Sequence, residues 1–261
     1  MADSLDVDAV LLDIDGVLVT SWDALPGALE AVATLRAHGV AFKLITNTTT
    51  HTRSALAETM RRAGFDIVMD ELVTAVSATA SYLRAHHVGA RVFVLSDGDP
   101  RADLTDVQLV DVDDADVVVL GGGCDDFSYD ILNRVFRRLN GGAGFVAMHR
   151  NLYWRTRDGL QLDGGAFVAA LEEASGVKPV ICGKPSPAYF AAALGMLGVD
   201  ASRAAMVGDD IANDVAGAQA AGLAGVLVRT GKFRPSDLER GRPDSVVASI
   251  ADVPALLGLA G

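Results

Sequence analysis

The chain has 261 residues and 50% of them are hydrophobic, which is enough apolar material for the core of one large domain or two smaller ones. Its formal net charge of −12 argues against a nucleic-acid-binding protein, because such proteins normally present a basic face. The first residues lack the basic and apolar regions of a secretion signal, and no apolar run is long enough to span a bilayer, so we expect a cytoplasmic protein without a membrane partner.

The two ends of the chain alternate short apolar runs, typical of buried strands, with amphipathic segments that have helical periodicity. The predicted order is strand 8–13, helix 26–39, strand 40–47 and helix 50–64, followed near the end of the chain by strand 204–209, helix 211–222 and strand 224–231. This alternation predicts an α/β fold with a parallel sheet and helices on both of its faces.

The middle of the chain, from about residue 81 to residue 178, has a higher ratio of predicted strands to predicted helices than the two ends. The predicted strands are 90–96, 107–112, 115–122 and 142–149, and the predicted helices are 128–142 and 164–176. The pattern leaves two arrangements open. This segment either extends the first sheet or forms a separate α/β module inserted into it.

Polar side chains follow the predicted strands at the points where these strands end. Ligands of parallel α/β sheets bind at the carboxyl ends of the strands, so these side chains are candidates for one site if the strands are neighbours. The candidates are Asp13, Asp15, Thr46, Asn47, Asp209, Asp210 and Asp214, together with Lys184 in a Gly-Lys-Pro turn.

Asp13 and Asp15 end the same buried strand, and two like charges there are costly unless a cation or hydrogen-bond donors compensate them. Clustered carboxylates suit Mg²⁺, which binds a few carboxylates, water and substrate phosphate. A carboxylate is also a nucleophile towards phosphorus, and a lysine, a hydroxyl and a metal ion stabilise a phosphoryl group during transfer. Any one of these residues alone is more often a helix N-cap or a surface residue, and for Asp210 both interpretations stay open.

Four short segments occur in a fixed order along the chain. They are DIDGVL at residues 13–18, ITN at 45–47, GKP at 183–185 and VGDDIANDV at 207–215. Their order and spacing resemble the four motifs of the haloacid dehalogenase (HAD) superfamily. The intervening segment resembles the α/β cap of the class IIA, NagD-like phosphatases. The sequences around the last two motifs are most similar to the branch of phospholysine/phosphohistidine/pyrophosphate phosphatase and its hydrolase-domain-containing relatives.

The resemblance implies a role for each residue that matches a motif. Asp13 is the expected nucleophile, which becomes phosphorylated, and Asp15 is the expected general acid and then general base. Thr46 is expected to hold the phosphoryl oxygen with help from Asn47, and Lys184 to neutralise the charge of the phosphorylated site. An acid at position 15 favours phosphate-ester hydrolysis over dehalogenation or phosphonate cleavage.

The resemblance also implies a magnesium site. The expected ligands are Asp13, the backbone carbonyl of Asp15 and Asp209, with Asp214 acting through water or by orienting the other ligands. Many class IIA relatives have two asparagines after the motif threonine, whereas Thr48 follows Asn47 here. This departure bears on the preferred substrate and leaves the expected reaction type unchanged.

The implied domain organisation is a Rossmann-like core of residues 1–80 and 181–261 and an inserted cap of residues 81–180. His149 and Asn151 lie in a cap segment that faces the active site in the family, where they are candidates to bind the leaving group. The alternative is a polar cap turn that contains a half-buried aromatic pair. Related capped phosphatases often pair through their caps, so we expect a homodimer.

The predicted function is Mg²⁺-dependent hydrolysis of a small phosphorylated metabolite through an aspartyl-phosphate. One alternative is phosphoryl transfer to a second substrate, as in a mutase or a phosphotransferase. A further alternative is a non-catalytic protein that only binds a phosphorylated ligand. The presence of all of Asp13, Asp15, Lys184 and Asp209 argues against the non-catalytic alternative.

Overall fold

The computed structural model describes residues 4–156 and 159–259. The strands in this part of the chain are β1 (Ala9–Asp13), β2 (Val19–Thr20), β3 (Asp23–Ala24), β4 (Ala41–Thr46), β5 (Leu72–Thr74), β6 (Arg91–Leu95), β7 (Gln108–Leu109), β8 (Val117–Leu120), β9 (Gly144–Ala147), β10 (Tyr153–Thr156), β11 (Gly159–Leu162), β12 (Val180–Ile181), β13 (Ala204–Gly208), β14 (Ala224–Val228) and β15 (Ser245–Val247). The α-helices are α1 (Ala28–Ala37), α2 (Arg53–Arg62), α3 (Ala75–His86), α4 (Tyr129–Asn140), α5 (Gly164–Ser175), α6 (Pro187–Gly195), α7 (Gly217–Ala220), α8 (Asp237–Arg240) and α9 (Val253–Leu256).

The chain divides into two compact units. Unit 1 comprises Met1–Thr46, Ser54–Val73 and Pro185–Gly261, and unit 2 comprises Asn47–Arg53 and Thr74–Lys184. The predicted domain boundary between residues 80 and 81 falls inside α3, and the whole of α3 belongs to unit 2. The assignment of a catalytic core and a cap with the boundaries given above therefore stays a prediction.

Unit 1 is built on a six-stranded sheet with the order β15-β14-β13-β1-β4-β5. The pairs from β15 to β4 are parallel. Every residue of β1 and β13 is buried, as expected for strands covered on both faces, which are apolar throughout rather than alternating. In the register of these two strands Leu12 pairs with Val207, so Asp13 and Gly208 end them at the same edge of the sheet.

Unit 2 has its own five-stranded sheet, with the order β12-β9-β8-β6-β7 and parallel pairing throughout. Residues of α4 and α5 pack on one part of its core and residues of α3 on another. The middle segment is therefore a separate α/β module, which resolves the alternative that the sequence pattern left open. The predicted α/β fold with parallel sheets and packed helices is confirmed.

Three local predictions differ from the structure. The strand predicted at 107–112 is reduced to β7, and the helix predicted at 211–222 begins as a π-helical segment, Ile211–Ala216, before α7. The segment that begins with Tyr153 forms a strand of the antiparallel β10–β11 hairpin rather than a turn. Within the described residues, no helix combines the length and the apolar character needed to cross a membrane.

Candidate active site

Three carboxylates meet at the carboxyl edge of the unit 1 sheet. Asp13 is the last residue of β1, Asp209 directly follows β13, and Asp214 lies in the π-helical segment that comes next. All three are buried, and one oxygen from each lies within 4.8 Å of the others. The parallel register of β1 and β13 brings the first two together, and one helical turn brings the third.

Two glycines make room for the Asp209 carboxylate. Gly16 and Gly231 have φ values of 83° and 60°, in the left-handed region that favours glycine. A Cβ atom on either residue would collide with Asp209 Oδ2, and a Cβ on Gly16 would lie 2.8 Å from the Cα of Gly231. Thr230 Oγ1 donates a 2.5 Å hydrogen bond to the carbonyl of Gly16 and ties the two loops together. Larger residues at either glycine would displace Asp209.

Asp209 is in an unfavourable electrostatic position when no cation is bound. Burial, followed by the charges of Asp13 and Asp214, raises its pKa well above the usual value. Its Oδ2 accepts a 2.6 Å hydrogen bond from the backbone N–H of Lys232. Its Oδ1 is buried and has no hydrogen-bond partner among the described residues. A buried carboxylate oxygen that accepts no hydrogen bond, in a group whose other ligand atoms are also oxygens, fits a hard cation and Mg²⁺ in particular.

Asp210 is the N-cap of the π-helical segment. Its Oδ1 accepts hydrogen bonds of 3.0 Å from the backbone N–H groups of both Ala212 and Asn213. Burial opposes the charge, but the hydrogen bonds from the backbone and side chain of Asn213 outweigh this effect and lower the pKa of Asp210. Its own N–H donates to Asp214 Oδ2 at 3.1 Å. Asp210 therefore orients Asp214, and its side chain is engaged in capping.

Asp15 lies apart from the buried carboxylates. Its side chain is exposed, and it is not one of the three whose oxygens lie within 4.8 Å of one another. The chain turns directly after it, because Gly16 N–H donates to the carbonyl of Val19 at 2.8 Å and the β2–β3 hairpin follows. A carboxylate at this position is open to water and to an incoming substrate.

Thr46 ends β4, the strand beside β1, and comes one residue after the position paired with Asp13. It is buried. The hydroxyl of Tyr189 accepts a hydrogen bond from Thr46 N–H at 3.2 Å and lies 3.0 Å from the Thr46 carbonyl and 2.6 Å from the Val73 carbonyl, to which it donates. One buried hydroxyl thus fixes the backbone of Thr46 at the end of its strand.

The remaining predicted residues belong to unit 2. The side chain of Asn47 bonds to both backbone groups of Lys184, accepting from its N–H at 2.8 Å and donating to its carbonyl at 2.9 Å. Asn47 Nδ2 also lies 3.5 Å from Asn151 Oδ1. Lys184 is 4% exposed. Asn47 therefore fixes the backbone that carries the lysine.

His149 is buried, with 2% exposure, and its Nδ1 accepts a 3.3 Å hydrogen bond from the N–H of Asn151. Its Nε2 lies 3.9 Å from Oδ1 of Asp163, the N-cap of α5. Tyr153, at the start of β10, is 53% exposed. The predicted half-buried aromatic pair includes Trp154, whose side chain lies outside the described residues.

Lys232 is a residue of this site that the sequence analysis missed. It follows Gly231 in an exposed loop, and its backbone contact with Asp209 places it at the site. Desolvation works against its charge, but the attraction of Asp209, Asp13, Asp210 and Asp214 outweighs it and raises the pKa of Lys232. A lysine after a loop glycine has no periodicity or spacing that signals such a position.

Family models match both parts of the chain that carry the motifs. A haloacid dehalogenase-like hydrolase model matches residues 10–110, and a HAD-hydrolase-like model matches residues 181–253. Haloacid dehalogenase-like hydrolase domain-containing protein 2 from Homo sapiens is 40% identical over 243 residues, which cover 93% of this chain and 92% of the relative. Phospholysine phosphohistidine inorganic pyrophosphate phosphatase from Xenopus laevis is 39% identical over 238 residues, covering 88% and 86% of the two chains.

Solved structures agree with these relatives. A p-nitrophenyl phosphatase from Archaeoglobus fulgidus has a TM-score of 0.90 and 30% identity, covering 96% of this chain and all of that one. NagD from E. coli K-12 has a TM-score of 0.85 and 28% identity, covering 95% and 98%. The predicted superfamily, class and enzymatic nature are confirmed. The chain belongs to the haloacid dehalogenase-like hydrolases, in the NagD-like class whose named members include phosphatases.

Proposed function

We propose that the protein is a Mg²⁺-dependent phosphatase that hydrolyses a small phosphorylated metabolite through a phosphoryl group carried by Asp13. The observation that carries the proposal is the group of three buried carboxylates, one of which ends the central strand β1. Such a group is unfavourable unless a cation binds to it, and it leaves Asp13 at the edge where ligands of parallel sheets bind.

Asp13, Asp209 and Asp214 are the proposed side-chain ligands of Mg²⁺, together with the backbone carbonyl of Asp15. The buried Oδ1 of Asp209, which has no hydrogen-bond partner in the described part of the chain, supports the fit. When bound, Mg²⁺ offsets the mutual repulsion of the carboxylates and the negative charge of the phosphoryl group.

The proposed reaction has two steps on the protein's own residues. First, an Asp13 carboxylate oxygen forms a bond to phosphorus as the bond between phosphorus and the leaving oxygen breaks, and Asp15 gives its proton to that oxygen. Second, Asp15 takes a proton from water, whose oxygen forms a bond to phosphorus as the bond between phosphorus and the Asp13 oxygen breaks, which releases phosphate and restores the Asp13 carboxylate. The exposed position of Asp15 supports both proton transfers, because it is open to the leaving group and to water.

Thr46 and Lys184 are proposed to stabilise the phosphoryl group, the first through its hydroxyl and the second through its ammonium. The hydrogen bonds of Tyr189 to the Thr46 backbone support a fixed position for the first. The two hydrogen bonds of Asn47 to Lys184 support the same for the second. His149 and Asn151 are proposed to contact the leaving group.

We also propose a cytoplasmic homodimer. The β10–β11 hairpin of unit 2 and the residue before it expose several large apolar side chains, and exposed apolar surface favours association. The residues concerned are Leu152 (51% exposed), Tyr153 (53%), Leu160 (58%) and Leu162 (65%).

Phosphate release from a panel of phosphorylated compounds tests the proposed function. The panel includes p-nitrophenyl phosphate and inorganic pyrophosphate, because the names of relatives point to both. We expect release with Mg²⁺, none after removal of the metal with EDTA, and recovery when Mg²⁺ is restored. Full activity without a divalent cation would contradict the proposed site.

A further inference from the structure

Lys232 is a cation at an acidic site that forms no ion pair among the described residues. Its backbone is fixed at Asp209 by the 2.6 Å hydrogen bond, and the preceding Gly231 packs against the same carboxylate. Its side chain is exposed. The backbone of Lys232 is therefore held at the exposed edge of the site, and its ammonium is close enough to the carboxylates to be partly desolvated and attracted by them.

A lysine that neutralises a carboxylate normally forms a close ion pair with it. Here the attraction is spread over Asp209, Asp13, Asp210 and Asp214, and no single close partner exists in the described part of the chain. Such an ammonium is available to an anion that arrives from solvent. In a chain with a net charge of −12, a cation at this position also reduces the repulsion of an anionic substrate.

The direction of phosphoryl transfer indicates which part of the substrate arrives there. The attacking and leaving oxygens lie roughly in line through phosphorus, on opposite sides. Asp13, the proposed attacking group, is buried, so the leaving group lies on the side of the phosphorus atom that faces solvent. Lys232 belongs to an exposed loop at this edge, so it approaches the substrate from the same solvent side as the leaving group.

We propose that Lys232 binds a negatively charged group on the leaving-group part of the substrate. This inference rests on the proposed function. The preferred substrates are then phosphate esters or anhydrides whose leaving group carries its own carboxylate or phosphate, and esters of neutral alcohols are hydrolysed less efficiently.

Two probes of similar size test this selectivity. Phosphoglycolate carries a carboxylate at the position where ethyl phosphate carries a methyl group. We expect the wild-type protein with Mg²⁺ to have a higher kcat/KM for phosphoglycolate, and K232Q to reduce the ratio of the two kcat/KM values about tenfold, the usual effect of losing a charge-assisted hydrogen bond. K232R should keep most of the ratio, because the cation is retained.

R234Q is the matched control, because it removes the same charge from the same exposed loop two residues away. The ratio should be unchanged in this variant. An equal fall in R234Q and K232Q would overturn the proposal, because the selectivity would then reflect net charge alone. An unchanged ratio in K232Q would overturn it as well.

Calorimetry with D13N separates this inference from the proposed function, because it measures binding without turnover. In Mg²⁺, D13N should bind phosphoglycolate more tightly than ethyl phosphate, and D13N/K232Q should lose about tenfold in affinity for phosphoglycolate. Equal affinities of D13N for the two probes would overturn the role of Lys232. If the wild-type protein with Mg²⁺ releases phosphate from no compound of the panel above, including these two probes, while calorimetry shows the Lys232-dependent difference, the proposed function fails and the role of Lys232 in binding stands.

Discussion

Asp209→Asn should stabilise the metal-free protein and weaken its response to Mg²⁺. The substitution keeps the shape of the side chain and an acceptor for the N–H of Lys232, while it removes one of three negative charges from a buried site. In a protein without a bound cation, the lost charge is a source of repulsion. In the presence of Mg²⁺, the same charge is a ligand.

The size of the effect follows from the geometry. Two unit charges 4.8 Å apart in a medium with an effective dielectric constant of about 20 repel by about 3 kcal/mol. Burial, and then this repulsion, raise the pKa of Asp209, so that loss of the charge relieves both. We therefore expect the variant to gain about 1–2 kcal/mol in EDTA, which is a rise of about 2–8 °C in Tm for a chain of this size.

The gain should depend on pH in a defined direction. A carboxyl group whose pKa is raised in the folded state contributes stability at low pH that is lost as the pH rises through the raised value. Asp209 is such a group, and an asparagine does not titrate. The difference in Tm between the variant and the wild-type protein in EDTA should therefore grow as the pH rises through the raised pKa of Asp209.

Differential scanning fluorimetry with and without Mg²⁺ measures both effects. At a concentration one hundred times its dissociation constant, Mg²⁺ should stabilise the wild-type protein by about 2.7 kcal/mol, and the variant by much less. A lower Tm for the variant in EDTA, together with a wild-type Tm that does not respond to Mg²⁺, would refute the metal site.

Three further predictions concern the reaction, the fold of the site and assembly. Asp15→Asn should lose about 10²–10⁴-fold in rate, and less with p-nitrophenyl phosphate, whose leaving group needs little protonation; an equal loss for all substrates would contradict the general-acid role. Tyr189→Phe should lower kcat about tenfold, because the hydroxyl that holds the backbone of Thr46 is lost. Leu35→Ala, which truncates a core residue of α1, is the control and should lower Tm while kcat stays unchanged. Equal kcat values for the two variants would contradict the positioning role of Tyr189. Leu162→Ser should convert the proposed dimer to a monomer of 27.1 kDa in light scattering, and a wild-type protein already at that mass would contradict the dimer.

The strand-end carboxylates could be located from the sequence because their positions follow from simple rules. A run such as AVLLD or AAMVG is apolar throughout because both faces of the strand are covered, and the first polar residue marks the carboxyl end. Neighbouring parallel strands then bring Asp13 and Asp209 to one edge. The family resemblance added the order of the motifs, which a single strand pattern does not contain.

Other features depend on tertiary contacts that leave no pattern in the sequence. Lys232 reaches the site because two glycines with positive φ, Gly16 and Gly231, pack against Asp209, and neither the spacing nor the composition of its loop indicates this. The role of Tyr189 is hidden for a similar reason, because an aromatic residue in an apolar helix normally indicates core packing. The N-cap role of Asp210 could be assigned only from the hydrogen bonds that its carboxylate accepts from the π-helical segment. In the sequence, its position fits an N-cap and a residue of the metal site equally.

The residue that carries the phosphoryl group during turnover identifies the nucleophile. The wild-type protein is mixed with substrate and Mg²⁺ under single-turnover conditions, quenched in acid and digested for mass spectrometry. We expect added phosphate on Asp13, and no turnover by Asp13→Asn, because an amide does not form the acyl phosphate. Turnover by Asp13→Asn, together with no phosphate on any aspartate of the wild-type protein, would contradict this expectation and favour direct attack on phosphorus by water.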